Sequence, residues 1–351
     1  MPQKIRILYT IPNFNTAGSQ YVLLSLIEKL DKESFEIFIG VEEHPELIPD
    51  IFPISNRVHI KHKGNLIANV YHFATMLRRY NIHTVHSWDY KSNFYEPIAT
   101  RLVVKNYLFT KKNAAWSKRW FLKSFLSSRI VYDQPDMELN FFNNIFLRKK
   151  ATFIPHGIDV NKFVPIGNKK KKSKIFKLCC VGNLGENKNQ LFLIQQLKEL
   201  PNSIHLYLYG RSLAEYRDRL NDFIRKANLT NRVFIEDFVD NDELPQLLST
   251  FDLFVLASKK EGLPVSILEA LACGLPVLCS DSGGGTKYIF KKGKGGHVFD
   301  LGKPEQFKNY VLDFYNNKEY LKNAKQEAVH LAKQFDVNHE VRAYEALYKK
   351  L

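Results

Sequence analysis

The chain has 351 residues, 45% of them hydrophobic and 25% charged, with a net charge of +15 at neutral pH. That is enough for two α/β domains with a core each, and the composition excludes a disordered or disulfide-framework chain. No apolar run approaches the ~20 residues of a spanning helix, and Met1-Pro2-Gln3-Lys4-Ile5-Arg6-Ile7-Leu8 enters a strand pattern without a signal-peptide core.

Residues 4–11 predict a nearly continuous apolar strand, as in a parallel sheet covered on both faces. A loop holding Ala17-Gly18 follows. A helix then runs through Leu30, with Val22, Leu23, Leu26 and Ile27 at helical spacing. Gly18 reads either as an ordinary turn glycine or as a point where backbone approaches a phosphate. Residues 35–41 predict a second strand and residues 66–80 a helix. A third strand, 82–86, ends in His86-Ser87-Trp88-Asp89. His86 reads equally as a core histidine or as a functional one at the strand mouth. Residues 107–110 are a strand leading into Lys111-Lys112-Asn113.

Between 101 and 131 stand Arg101, Lys105, Lys111, Lys112, Lys118, Arg119, Lys123 and Arg129 without an acidic residue, interleaved with Trp116, Trp120, Phe121 and Phe125. The pattern fits a helix on an anionic membrane surface, and equally a solvated basic face with its aromatics turned inward. Nucleic acid is disfavoured, because no recognition module accompanies the charge.

After Phe153-Ile154-Pro155-His156-Gly157-Ile158-Asp159, the lysine run 169–172 marks a linker. The α/β pattern then restarts with a strand at 176–181 and the loop Gly182-Asn183-Leu184-Gly185-Glu186-Asn187-Lys188. Strands follow at 204–209, closing at Gly210, and at 232–235, 253–257 and 277–280; the last leads into Gly283-Gly284-Gly285. Cys179, Cys180, Cys273 and Cys279 all fall in apolar elements without metal spacing. They predict reduced core thiols and a reducing cytoplasm.

The most informative stretch is Glu261-Gly262-Leu263-Pro264-Val265-Ser266-Ile267-Leu268-Glu269, continued by Ala270-Leu271-Ala272-Cys273-Gly274-Leu275-Pro276-Val277. It predicts a loop, a short helix with Pro264 in its first turn, a stop at Gly274 and a strand. From Pro264 to Glu269 is ~7 Å along the axis, at roughly 1.5 Å per residue. Free N–H groups at the helix mouth favour a phosphate, and a carboxylate accepts two hydrogen bonds from a sugar diol.

This stretch closely resembles the signature of retaining glycosyltransferases of family 4, and 153–163 resembles that family's interdomain motif. The resemblance implies a GT-B fold, two Rossmann-like domains facing across a cleft. The first is expected at 1–162 with a crossing helix at 336–351, the linker at 163–172 and the second, nucleotide-sugar-binding domain at 173–335. It implies a nucleotide-sugar donor, UDP-sugar favoured, no cofactor, and a glycan or lipid-linked acceptor in cell-surface polysaccharide biosynthesis. Glu261 and Lys188 are the implied catalytic pair, with Lys188 neutralising the leaving diphosphate. Glu269 would hold the ribose diol. Gly18, Asn183, Gly210, Leu263, Pro264, Val265 and Ser266 complete the expected donor contacts.

The chain departs from the family at several places. Asn183 replaces an Arg, Ala17 replaces one of two glycines, His156 stands where Asn is commonest, and Tyr288 replaces a glutamate. Lys111 or Lys112 stands where relatives carry a histidine, so His86, Lys111 and Lys112 are the candidates for sugar or acceptor contacts. A retaining mechanism needs no protein base, because a donor phosphate oxygen can take the acceptor proton. The cleft loops are read as lacking an Asp-x-Asp motif, so no metal is expected. The alternatives are a UDP-N-acetylglucosamine 2-epimerase of the same architecture, which lacks the paired glutamates, and a degenerate, partner-binding transferase. The expected location is cytoplasmic, with a peripheral contact at the inner face of the membrane.

Overall fold

Two parallel sheets organise the chain. The structure, a computed structural model, describes residues 3–14, 18–88, 91, 93–104, 106–112, 115–167 and 174–351. Ala17, Asp89, Lys105, Asn113 and the lysines of 169–172 lie outside these residues.

The first sheet contains β1 (Ile5–Ile11), β2 (Phe35–Val41), β3 (Arg57–His59), β4 (Thr84–Ser87), β5 (Asn106–Lys111), β6 (Arg129–Tyr132) and β7 (Ala151–Phe153). Its order is β3-β2-β1-β4-β5-β6-β7. The second contains β8 (Phe176–Val181), β9 (Ile204–Tyr209), β10 (Val233–Glu236), β11 (Leu253–Leu256), β12 (Val277–Ser280) and β13 (Gly296–Phe299), in the order β10-β9-β8-β11-β12-β13. Central strands β4, β11 and β12 are buried along their whole length; β11 (Leu-Phe-Val-Leu) reads accordingly as an unbroken apolar run, whereas β4 buries Thr84, His86 and Ser87. The strand order reverses between β1 and β4 in one sheet and between β8 and β11 in the other. Loops leaving the carboxyl ends of such strands open a ligand crevice.

The chain divides into one compact unit of Met1–His156 with Val337–Leu351, and a second of Gly157–Asp336. The division falls ahead of the linker expected at 163–172. Asp159 explains this: its carboxylate accepts from the Asn161 N–H at 3.0 Å and its carbonyl from the Phe163 N–H at 2.9 Å. The turn sends Phe163 into the core of the second unit.

Within the first unit, helix Val337–Tyr348 buries Tyr344 and Tyr348. The stretch 101–131 is not one helix. It holds the end of helix Tyr95–Val103, β5, helix Lys118–Leu126 and the start of β6. Trp120 and Lys123 of helix Lys118–Leu126 are buried, whereas Phe121 and Phe125 are 40% and 47% exposed. The aromatic and basic residues of this helix therefore divide between a buried and an exposed side. All four cysteines are free and buried.

Candidate functional site

In the second unit, the loop after β8 carries Lys188 and the loop after β11 carries Glu261, so both stand where the strand order reverses. The structure brings them together: Lys188 Nζ donates to Glu261 Oε1 at 2.6 Å. The loops are tied to each other as well. The Lys259 N–H donates to the Asn187 carbonyl at 2.7 Å, and Asn187 Nδ2 to the Lys260 carbonyl at 2.8 Å. Glu261 is fixed from its other side, because its N–H donates to the Ser282 carbonyl at 2.9 Å. A Cβ on Gly285 would lie 1.7 Å from the Gly262 carbonyl oxygen, so this glycine serves a close approach of the protein's own backbone.

Helix Val265–Ala272 begins immediately after this loop. Pro264 is its extended N-cap residue (φ −72°, ψ 106°), one position earlier than the sequence suggests. No side chain caps this end and no acidic residue stands in its first turn. The N–H groups of Val265 and Ser266 are thus presented at a helix N-terminus, the arrangement that favours an anion. The other end closes in a Schellman motif, with Gly274 (φ +71°) donating to the Leu271 carbonyl at 3.0 Å and Leu275 to that of Ala270 at 2.9 Å.

Glu269 lies inside this helix and is only 8% exposed. It is not a solvated surface residue. Its Oε1 accepts from Asn241 Nδ2 at 3.1 Å. Burial pushes its pKa up to about 7, against the opposing effects of the Asn241 hydrogen bond and the charge of Lys162. Lys162 Nζ donates in turn to Asn241 Oδ1 at 2.5 Å and to Asp242 Oδ1 at 2.6 Å. Asn241 and Lys162 escape the sequence reading, since no local spacing joins 162, 241 and 269. The expectation of no Asp-x-Asp triplet is corrected by Asp240-Asn241-Asp242 after β10. Asp242 of that triplet pairs with Lys162. No cluster of three potential metal ligands occurs among the described residues.

The remaining donor candidates divide. Leu263 is buried, Val265 and Ser266 are half-buried, and Asn183 is exposed with its carbonyl accepting from Gln190 Nε2 at 3.3 Å. Gly210 (φ +151°) places its absent Cβ 2.2 Å from the Gly182 carbonyl oxygen. Its smallness is thus required by the neighbouring backbone.

In the first unit, Gly18 adopts φ +82° at the start of helix Ser19–Lys29, with open space around it. The sugar or acceptor candidates there are committed internally. His86 Nδ1 lies 2.6 Å from the Tyr348 hydroxyl and Nε2 2.8 Å from that of Thr110. Burial, then nearby Lys112, holds this ring well below the ordinary histidine pKa. Neither nitrogen is left for a sugar hydroxyl, and the core reading of His86 is the one that describes it. Lys111 is buried with Nζ 4.0 Å from the centre of the Trp120 ring, and burial lowers its pKa to about 7. Lys112 donates to the Trp88 carbonyl at 3.0 Å.

Residues 162–330 match the family described as "Glycosyl transferases group 1". An Escherichia coli UDP-Gal:alpha-D-GlcNAc-diphosphoundecaprenol alpha-1,3-galactosyltransferase is 25% identical over 343 residues, covering 86% of each chain. This chain is a glycosyltransferase, and its segment 162–330 is of the group 1 type. A second relative of this glycosyltransferase is the Campylobacter jejuni N,N'-diacetylbacillosaminyl-diphospho-undecaprenol alpha-1,3-N-acetylgalactosaminyltransferase, 24% identical over 326 residues and 82% of each chain. The fold is GT-B. Anabaena Alr3699/HepE, solved with UDP and glucose, superposes with a TM-score of 0.83 over 99% of this chain and 100% of its own, at 17% identity. Lys188, Glu261, Glu269, Asn241 and Lys162 all lie within the matched residues, whereas His86, Lys111 and Lys112 lie outside them.

Proposed function

We propose that this glycosyltransferase draws its sugar from a UDP-sugar, retains the anomeric configuration, and passes the sugar to a lipid-linked or glycan acceptor in cell-surface polysaccharide assembly. One arrangement carries the reading: the Lys188–Glu261 pair, 2.6 Å apart, beside an uncapped helix start with Glu269 buried on the same helix. The donor diphosphate would take the Val265 and Ser266 N–H groups and Lys188, whose charge offsets the negative charge that grows on the leaving group. Glu269 would accept from the ribose diol, and Glu261 would face the transferred sugar while holding Lys188 in place. This division of labour assigns the leaving-group charge to Lys188 and the helix, with no metal ion required. The names of the two bacterial relatives, which specify UDP-Gal in one case and diphospho-undecaprenol-linked substrates in both, support the donor and acceptor classes.

We also propose a peripheral contact with an anionic membrane on the cytoplasmic side, through the exposed face of helix Lys118–Leu126. No helix among the described residues is long and apolar enough to cross a bilayer. The basic and aromatic residues of that helix support the contact.

A panel of nucleotide sugars, read by nucleotide release, tests the donor assignment. UDP release from a UDP-sugar is the expected result. Lys188→Ala should lower turnover by about two orders of magnitude, the scale of one lost transition-state charge contact. Glu269→Ala should raise the donor KM with the fold intact by circular dichroism. Unchanged donor kinetics in both variants would overturn the site.

A further inference from the structure

Glu269 is held by a chain of three side chains that the proposed donor contacts do not include. Asn241 Nδ2 donates to its Oε1 at 3.1 Å, Lys162 Nζ donates to Asn241 Oδ1 at 2.5 Å, and the same Nζ donates to Asp242 Oδ1 at 2.6 Å. The order of burial along the chain is informative. Glu269 is buried, the Lys162 side chain is 34% exposed, and that of Asp242 is 92% exposed. An exposed carboxylate, a half-buried cation and an amide thus lead in order from solvent to the buried carboxylate.

Each link is positioned independently of the others. Lys162 follows the turn that Asp159 fixes, with the Lys162 N–H itself donating to the Asp159 carbonyl at 3.2 Å. Asn241 sits in the turn after β10, where the Glu243 and Leu244 N–H groups both donate to the Asp240 carbonyl at 3.1 Å. Glu269 is carried by its helix. Three segments distant in sequence thus join in one hydrogen-bonded chain, of which Asn241 alone reaches the carboxylate oxygen. An amide is suited to the middle position, because it accepts from the cation with one end and donates to the carboxylate with the other. The second oxygen of Glu269 takes no hydrogen bond among the described residues.

We propose that Asn241 and Lys162 are positioning residues for the nucleotide part of the donor: they occupy one oxygen of Glu269 and favour its charged form, which leaves the other oxygen to accept from the ribose 2′- and 3′-hydroxyls. This rests on the reading that Glu269 takes the ribose diol, and it adds what keeps a buried carboxylate able to do so. A protonated Glu269 would present a donor in place of an acceptor. Burial works toward that form, and Lys162, through Asn241, works against it. Asp242 holds Lys162 from the solvent side.

The test is calorimetric titration of UDP, ADP and GDP into the whole protein between pH 6 and pH 9, repeated with the 2′,3′-dideoxynucleoside diphosphates, which lack both hydroxyls. In the wild type, affinity for the ribonucleotide should rise with pH through about 7, where Glu269 ionises. Lys162→Met should move that rise to higher pH. Affinity at pH 7 should fall about three- to tenfold, since one pKa unit is tenfold below the midpoint, and recover by pH 9. Asn241→Ala should lower affinity at every pH, and the dideoxynucleotides should be insensitive to either change. Asn241→Gln tests placement separately: it keeps the amide and displaces it, and should restore the pH profile without restoring full affinity.

The failures are separable. If none of the three nucleotides binds the wild type, or if Glu269→Gln leaves ribonucleotide affinity unchanged, the donor-site reading itself falls. If Glu269→Gln weakens binding while Lys162→Met and Asn241→Ala leave the pH profile where it was, the positioning role alone is overturned. A loss that is equal for ribo- and dideoxynucleotides would show a general structural effect, and would overturn it too.

Discussion

The two units are built on the same plan, a parallel sheet whose strand order reverses near the middle, yet their strand ends are finished in opposite ways. In the first unit three polar side chains at or beside the carboxyl ends of β4 and β5 are satisfied by the chain itself. His86 lies between two hydroxyls, Lys111 lies over Trp120, and Lys123 donates to the Lys91 carbonyl at 3.0 Å. In the second unit the corresponding loops leave a helix start uncapped and bury Glu269 with one amide for company. Saturated polar groups hold a fold together, and groups left partly satisfied at a strand-order reversal are the ones a ligand can complete.

The sharpest way to break the saturated side is His156→Ala. In the first unit, His156 Nε2 lies 3.1 Å from Asp133 and Nδ1 3.2 Å from Glu340, all three buried. Burial disfavours the imidazolium, but the hydrogen bonds to the two carboxylates outweigh it and raise the pKa to about 9. Removing the cation leaves two carboxylates buried together, at a cost of about 3–5 kcal/mol. The sign with pH follows. A histidine whose pKa is raised on folding contributes its full stability below its unfolded pKa of about 6.5 and loses it as pH rises through 9. Urea denaturation of wild type and variant should therefore differ most at pH 6 and converge above pH 9. A gap of the same size at pH 10 would remove the ion triad as the cause.

On the open side, Glu269 contributes with the opposite sign. Glu269 titrates near 7 when buried, far above an ordinary carboxyl. Folding is therefore penalised increasingly as pH rises from about 4.5 to 7, and by ~3 kcal/mol beyond, at roughly 1.4 kcal/mol per unit. Glu269→Gln keeps the shape and the Asn241 bond. It should be more stable than the wild type at pH 8, indistinguishable at pH 4, and weaker in nucleotide binding. A variant less stable at pH 8 would mean that Glu269 is a structural residue of the ordinary kind.

The contrast also explains which features the sequence discloses. The buried strands and the paired glutamates are local, so apolar runs and spacing reveal them, and the Lys188–Glu261 meeting follows once the two loops lie at neighbouring strand ends. The three-residue strands β3 and β7 are too short to show a period. Burial of Lys111 is invisible locally, because a lysine beside a strand reads as solvated until Trp120 and Phe141 arrive around it. The Lys162–Asn241–Glu269 chain spans about a hundred residues and depends on a turn, a loop and a helix together, so it has no linear signature.

The smallest effect on stability is expected at the surface, where the units differ again. Of sixteen exposed large hydrophobic residues among those described, thirteen belong to the first unit. Phe121 and Phe125 stack on one another at 6.4 Å, Lys150 Nζ lies 5.5 Å from the Phe125 ring centre, and Arg101 reaches the Leu126 carbonyl at 2.7 Å. Apolar rings flanked by cations suit a lipid surface with anionic headgroups, where the rings enter the interface and the cations meet phosphate. Replacing both rings, Phe121→Ser with Phe125→Ser, removes surface that folding leaves half exposed, so stability should change by no more than about 1 kcal/mol. Co-sedimentation with phosphatidylcholine vesicles containing phosphatidylglycerol should fall about tenfold, the scale of a few tens of Å² of apolar area per ring together with weakened seating of the cations. Turnover with a short, water-soluble acceptor should be unchanged, since neither ring belongs to the donor site. Full vesicle binding by the double variant, or binding indifferent to lipid charge and salt, would show that the exposed rings face something other than a membrane and would leave the saturated unit without an outward role.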